Sequence, residues 1–239
     1  MRIFISGSSR GLGKAMAADF LAAGHDVAIN GAADRAMLTR THAELVENGG
    51  KITSVFADLS DYEAAKAAFA QIEKELGGVD VLINNAGISY VGLFTDMRPD
   101  EWQRLISVNQ LAMVNCAHLV IPGMLKNRCG HIINISSIWG EAGASCEAIY
   151  SMTKGAANAF TKALAKELAP SNIRVNAIAP GVMDTAMNDF LDEDEKATLI
   201  DQIPLGRFGD GTQIARAARF LMECDYITGK ILTIDGGLL

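Results

Sequence analysis

Short apolar runs rich in β-branched residues recur along the chain, and most are apolar at consecutive rather than alternate positions. RIFIS, DVAIN, ITSVFA, VDVLIN, GHIINIS, IRVNAIA and KILTID read as seven strands. Strands that are apolar on both faces belong in a parallel sheet covered on both sides. Between them lie stretches with helical spacing, among them YEAAKAAFAQIEKEL and IYSMTKGAANAFTKALAKELAP. The second is closed by a proline that cannot continue a helix. Repeated strand–helix units with right-handed crossovers predict an α/β fold, a single-domain doubly wound (Rossmann) parallel sheet of about seven strands with helices on both faces, over residues 1–239. Ligands of such sheets bind beyond the carboxyl ends of the strands. The one long segment without a strand signal, 180–209, is a candidate substrate lid, with DEDEK starting a solvated helix inside it.

Composition narrows the function. A chain of 239 residues with 49% hydrophobic and 21% charged content can bury one sizeable core. A formal net charge of −7 argues against nucleic acid as a partner, because backbone binding needs a basic face. Cys116, Cys129, Cys146 and Cys224 form no CxxC pair, which suits a reducing compartment and predicts a cytoplasmic protein. No membrane association is expected. The longest apolar candidate, LAMVNCAHLVIPGML, is interrupted by Asn115, His118 and Pro122, and the N-terminus has no signal-peptide core. His25, His42, His118 and His131 lack metal-ligand spacing, so no metal is expected.

Candidate chemistry begins at SGSSRGLG, residues 6–13, between the first strand and the first helix. Glycines there let the backbone turn tightly and a phosphate approach the free N–H groups of the helix. The pattern is G-x-x-x-G-x-G, which differs from the common G-x-G-x-x-G fingerprint. NNAG, residues 84–87, ends the fourth strand, and YSMTK places Tyr150 and Lys154 on one helical face.

Taken in order, the glycine turn, ADLSD, NNAG, VNQ, INISS, YSMTK and APGVMDT resemble the short-chain dehydrogenase/reductase family over essentially the whole chain. PLGRFGD followed by YITGKILTIDGG is most similar to its 3-oxoacyl-[acyl-carrier-protein] reductases. The resemblance implies hydride transfer between nicotinamide and a ketone or secondary alcohol, with four catalytic residues. Tyr150 would be the general acid, and Lys154 would supply positive charge and hold the nicotinamide ribose. Ser137 would bond the substrate carbonyl, and Asn109 would anchor a proton-passing water. A phenol of pKa about 10 serves near neutrality only if its phenolate is stabilised, and Lys154 is the expected source. The implied cofactor contacts are Gly7, Ser9, Arg10, Gly11, Leu12, Gly13, Asn30, Asp58, Leu59, Asn85, Ala86, Gly87, Pro180, Gly181, Val182 and Thr185, together with Tyr150 and Lys154.

A ribose 2′-hydroxyl is usually read by a carboxylate near the end of the second strand, where this chain has Gly31. Arg10 resembles the basic residue of NADP-dependent members. NADP(H) is therefore the expected cofactor. Asp34 leaves NAD(H) open, and Arg35 is either a further contact or a solvated helix residue. Trp139, Met183 and Met187, with Ser137 and Tyr150, are expected to line an apolar substrate pocket. Arg128 matches a position used by family members to dock acyl carrier protein, whereas the second such position is Ser171, with Lys126 and Arg174 close in sequence. A 3-oxoacyl thioester, another ketone, sugar or sterol-like alcohol, and a non-catalytic dinucleotide sensor stay open as readings. Wide apolar coverage on the helix with Ala156, Ala157, Ala159, Phe160, Ala163, Leu164 and Leu168, and on the preceding helix with Leu111, Met113, Val114 and Ala117, suits packing against a partner. The family resemblance, whose members commonly pair these two helices into tetramers, implies a homotetramer, with a dimer as the alternative.

Overall fold

In β1 (Arg2–Ile5), Ile3 and Ile5 point to one face of a sheet and Phe4 to the other, and all three are fully buried. The computed structural model describes residues 1–188 and 191–239. β1 is flanked by β2 (Asp26–Gly31) and β4 (Val81–Asn84). With β3 (Ile52–Phe56), β5 (Gly130–Ile135), β6 (Ile173–Pro180) and β7 (Ile231–Ile234) it forms one sheet of order β3-β2-β1-β4-β5-β6-β7. Every pairing is parallel, as the doubly apolar runs require. All seven expected strands are present.

The connections hold helices α1 (Gly11–Ala22), α2 (Arg35–Leu45), α3 (Tyr62–Leu76), α4 (Pro99–Ile106), α5 (Ala112–Asn127), α6 (Trp139–Ala142), α7 (Ala148–Leu168), α8 (Glu193–Gln202) and α9 (Gly211–Glu223). α1, α2 and α9 cover one face through Met16, Phe20, Leu38, Ile214 and Leu221. α3, α5 and α7 cover the other through Ile72, Val120, Met124, Leu164 and Leu168. α3 illustrates how local sequence sets an element. Asp61 caps it by accepting from the Ala64 N–H at 2.7 Å, Ala65, Ala68 and Ile72 form its buried stripe, and Gly77 ends it with φ 81°. DEDEK does start a solvated helix, since Asp192 and Glu195 form a capping box at the start of α8. The expected lid segment contains residues 189–190, which lie outside the described residues. Its two ends are tied together, Asp184 N–H to Gly209 O at 2.7 Å and Gly209 N–H to Val182 O at 3.0 Å.

Two expectations need correction. A single helix runs from Pro99 to Asn127 without a break, because Pro122 is tolerated within α5 and a π turn at Ser107–Leu111 joins α4 to α5. By length and composition this helix could cross a membrane, contrary to the sequence expectation. In the fold it packs Ala112, Cys116, Val120 and Met124 onto the sheet as a core helix. Arg174 likewise has a different role. Its guanidinium turns inward and donates to the carbonyls of Leu221 at 2.6 Å, Met222 at 2.7 Å and Cys224 at 2.8 Å, closing the C-terminal end of α9. Arg174→Met would leave these carbonyls without their donor and is expected to lower the unfolding free energy by about 2–4 kcal/mol. Chemical denaturation measures this, and an unchanged midpoint would mean that the cap carries no weight.

Candidate active site

The carboxyl ends of β1, β4, β5 and β6 converge at one edge of the sheet, and the functional residues gather there. After β1 the chain turns through Gly7, which has φ 60° and lies so close to the NNAG segment that a β-carbon would meet Ala86 Cα at 2.7 Å. A β-carbon on Gly13 would meet Gly7 O at 2.6 Å and Ser8 Cα at 2.7 Å. These two glycines therefore pack the turn against the β4 end. Gly11 differs, because a β-carbon there would meet only Thr185, at an ordinary contact distance of 4.0 Å, and its φ is 55°. Arg10 is the N-cap of α1 and its side chain makes no cap, so the first turn of the helix has no side-chain acceptor. Ser9 gives its carbonyl to the Thr41 hydroxyl, and Leu12 packs into the core.

The second strand ends in an internal bracket. Asn30 is buried and its carboxamide is consumed by the chain, accepting from Gly7 N–H at 3.1 Å and donating to Val55 O and Ala57 O. Asp34 spends its carboxylate as the N-cap of α2, accepting from Met37 N–H at 2.9 Å. The Arg35 guanidinium lies 4.2 Å over the Phe56 ring. Arg10 is exposed and, among the described residues, forms no ion pair. Asp58 accepts from Ser60 and from Arg104 at 2.8 Å. Burial pushes its pKa upward, but these donors outweigh that and hold it below the ordinary carboxylate range. Leu59 is buried beside it.

Asn85 ties β4 to the glycine turn, donating to Ser6 O at 3.0 Å and Gly7 O at 2.9 Å, while Ala86 N–H donates to the Ser6 hydroxyl. Past Gly87, Ile88 meets Asn109. Ile88 N–H donates to Asn109 Oδ1, and Asn109 Nδ2 donates back to Ile88 O, both at 2.9 Å. Asn109 sits in the π turn, whose extra residue redirects its side chain out of the regular helical row. Its Nδ2 also donates to Thr153 Oγ1 at 3.1 Å, and Thr153 donates in turn to Tyr150 O at 2.7 Å. Thr153 is completely buried and joins three segments of the site. Its position between Met152 and Lys154 carried no distinguishing signal in the sequence.

Tyr150 and Lys154 are buried one turn apart on α7, with Lys154 Nζ 5.6 Å from the Tyr150 ring centre. Lys154 Nζ donates to Ile135 O at 2.8 Å and lies 3.5 Å from where a β-carbon on Gly87 would stand. Burial alone lowers the Lys154 pKa to about 8. Burial raises the Tyr150 phenol to about 12, the Ser137 hydrogen bond pulls it down in part, and the Glu147 charge pushes it up further. The expected pull of Lys154 on the phenol is thus absent in the ligand-free chain, where desolvation dominates both groups. Ser137 Oγ accepts from Trp139 N–H at 3.2 Å, which leaves its own proton to point at an oxygen in the site.

A small cavity of mixed polar and apolar lining lies beside Tyr150, bordered by Tyr90, Phe94, Met97, Leu105, Glu147 and Ile149. Trp139, Met183 and Met187 do not line it. Met183 is buried in the core and borders a separate cavity with Val182, Gly209 and Gly236, and Met187 is exposed. Pro180 O accepts from Ile138 N–H at 3.1 Å, and Gly181 packs on Asp235. Among the described residues no group of histidine, cysteine or carboxylate side chains could hold a metal.

The residues present fit a dinucleotide. They offer a helix N-terminus without a side-chain cap, reached through a glycine turn, and a buried Lys154 whose three donors meet a single carbonyl among the described residues. The fold is that of a dinucleotide-binding oxidoreductase, with Ser137, Tyr150 and Lys154 gathered beside the carboxyl ends of the strands. The chain belongs to the short-chain dehydrogenase/reductase family, whose short chain dehydrogenase model matches residues 1–196. It is 37% identical over 237 residues to a 3-oxoacyl-[acyl-carrier-protein] reductase of Thermotoga maritima, covering 98% of this chain and 96% of the relative. It is 38% identical over 237 residues to an uncharacterized oxidoreductase of Bacillus subtilis, with the same coverage. Among solved structures, a 3-oxoacyl-[acyl-carrier protein] reductase from Brucella melitensis matches with a TM-score of 0.93 and 34% identity, covering 99% of this chain and 90% of that one. A second Brucella reductase structure, with bound NAD, matches with a TM-score of 0.91 at the same identity and coverage.

Thr153 is a positioning residue in this arrangement. Thr153→Val keeps the volume but leaves the Asn109 N–H without its acceptor. It is expected to lower kcat by about tenfold to a hundredfold, with a smaller change in KM, as a misplaced catalytic group does. Thr153→Ser should restore the rate. A fully active valine variant would remove Thr153 from the machinery.

Proposed function

We propose that the chain is an NADP(H)-dependent reductase whose substrate is a 3-oxoacyl thioester. The observation that carries this reading is geometric: Tyr150 and Lys154 are buried one turn apart on α7, and Ser137, also buried, is hydrogen-bonded to the Tyr150 phenol. Burial raises the phenol, so it gives its proton to a ketone oxygen only as negative charge develops there and a nearby cation holds the phenolate. Bound dinucleotide supplies the hydride. Ser137, which bonds the Tyr150 phenol in this structure, turns its O–H to the substrate carbonyl, Tyr150 delivers the proton as negative charge develops there, and the buried Lys154 ammonium stabilises the phenolate left behind. Asn109, fixed on both sides by Ile88 and Thr153, keeps that corner of the site in place. Cofactor contacts from Gly7 to Gly13, at Asp58 and Leu59, from Asn85 to Gly87 and from Pro180 to Thr185 belong to the same reading.

Acyl carrier protein is the proposed macromolecular partner. Lys126 and Arg128 are exposed at the end of α5 and available to an acidic surface, whereas Arg174 is spent inside the fold. Leu111 in the π turn, Val114 on α5, and Ala159 and Ala163 on α7 remain exposed, while Met113, Ala117, Leu164 and Leu168 are buried within the chain. The exposed half of these two helices supports the homotetramer, which a light-scattering mass of four chains would bear out and a fully active monomer would overturn.

Two measurements test the chemistry. On a panel of ketones with NADPH, acetoacetyl thioesters should be reduced fastest. Tyr150→Phe should lose about a hundredfold or more in kcat while still binding dinucleotide, and retained turnover would exclude Tyr150 as the acid. For the cofactor, Arg10 lies at the N-terminus of α1, and Asp34 is already engaged as a cap. Arg10→Ala should weaken NADPH by about 1.5–3 kcal/mol and barely change NADH. Equal losses would leave NAD(H), the cofactor of the Brucella neighbour, as the better reading.

A further inference from the structure

Glu147 stands at the N-cap of α7, yet its carboxylate makes no capping bond to the first turn. Glu147 instead lines the small cavity that Tyr150 also borders, with Phe94, Met97 and Ile149. Among the described residues no lysine, arginine or histidine pairs with it. A part-buried carboxylate without a counter-ion is costly, and burial accordingly raises its pKa. Its field also reaches the phenol, which it pushes upward. The start of a long helix would by itself favour an anion in the cavity. A fixed negative charge at that point reverses the preference.

Building on the reductase reading above, we propose that Glu147 is a charge filter for the substrate: it admits ketones whose neighbouring carboxyl is masked as a thioester, ester or amide, and rejects the corresponding free 3-oxo acids. A 3-oxo acid brought to Tyr150 puts its carboxylate within a few ångströms of the cavity wall that Glu147 shares. Like charges at about 6 Å in a partly desolvated site repel strongly enough to change relative affinity on the order of tenfold or more. A neutral thioester has no such opposition.

The test compares wild type with Glu147→Gln, and with Glu147→Ala as a second neutral variant, all with NADPH. The kcat/KM ratio of acetoacetyl-N-acetylcysteamine to acetoacetate should fall by about tenfold in both variants. A ratio that moves less than twofold in both would overturn the filter. Binding gives a readout that does not depend on turnover. By calorimetry, hexanoate should gain on hexanamide by a similar factor in the variants, and an unchanged affinity ratio, or binding of neither ligand to any variant, overturns the proposal. Discrimination in binding without reduction of either ketone would sustain the filter while removing the reductase reading for these substrates.

Discussion

A lysine whose ammonium is taken almost wholly out of water governs the design of this site. Among the described residues Lys154 has one carbonyl, Ile135 O, as its hydrogen-bond partner, and burial lowers its pKa to about 8. Desolvating an ammonium costs several kcal/mol when nothing balances it, so a fold keeps one only where other parts hold it in place. α7 is that support. Its Leu164 and Leu168 anchor it in the core on one side of the sheet, while Thr153 and Asn109 tie its first turns to the loop after β4. The same loop packs against the glycine turn through Asn85 and Ala86. Dinucleotide site and proton-transfer site are thus two ends of one hydrogen-bonded frame.

Much of this frame was legible in the amino-acid pattern. The seven strands announced themselves because a parallel sheet buried on both faces needs unbroken apolar runs, and such runs are rare outside it. Tyr150, Lys154, Ser137 and Asn109 were recognisable by their order along the chain, and the fold gathers them at one sheet edge. What sequence could not convey was how polar side chains would be spent. Asn30 and Asp34 read as neighbours of a cofactor, but backbone N–H groups claim Asn30 Oδ1 and the Asp34 carboxylate. Arg174 read as a surface cation near a docking site and is an internal helix cap. Thr153 had no pattern to mark it, since its importance arises from a π turn more than forty residues away.

The apolar surface left over has a comparable logic. Trp139 and the two methionines were expected to line the pocket, but the cavity at Tyr150 is built from the segment after β4 and from the start of α7. Met183 is drawn into the core because the chain after β6 bridges back to Gly209. The long helix from Pro99 to Asn127 is apolar enough to resemble a membrane span because one flank packs on the sheet while Leu111 and Val114 on the other stay exposed. Apolar coverage beyond one stripe is the ordinary sign of a helix that meets a second surface.

The account turns on the proton held by Tyr150, and that proton can be observed without any substrate. With tyrosines labelled at Cζ, carbon NMR spectra of the cofactor-free protein can be followed from about pH 7 to about pH 11, and Tyr150→Phe identifies the resonance. An ordinary phenol in water ionises near pH 10, at about its model-peptide value. Tyr150 should remain a neutral phenol past that point, in keeping with a pKa of about 12 set by burial. A Tyr150 signal that becomes phenolate between about pH 7 and 8 would contradict the account, because the acid would then be largely spent before a ketone arrives.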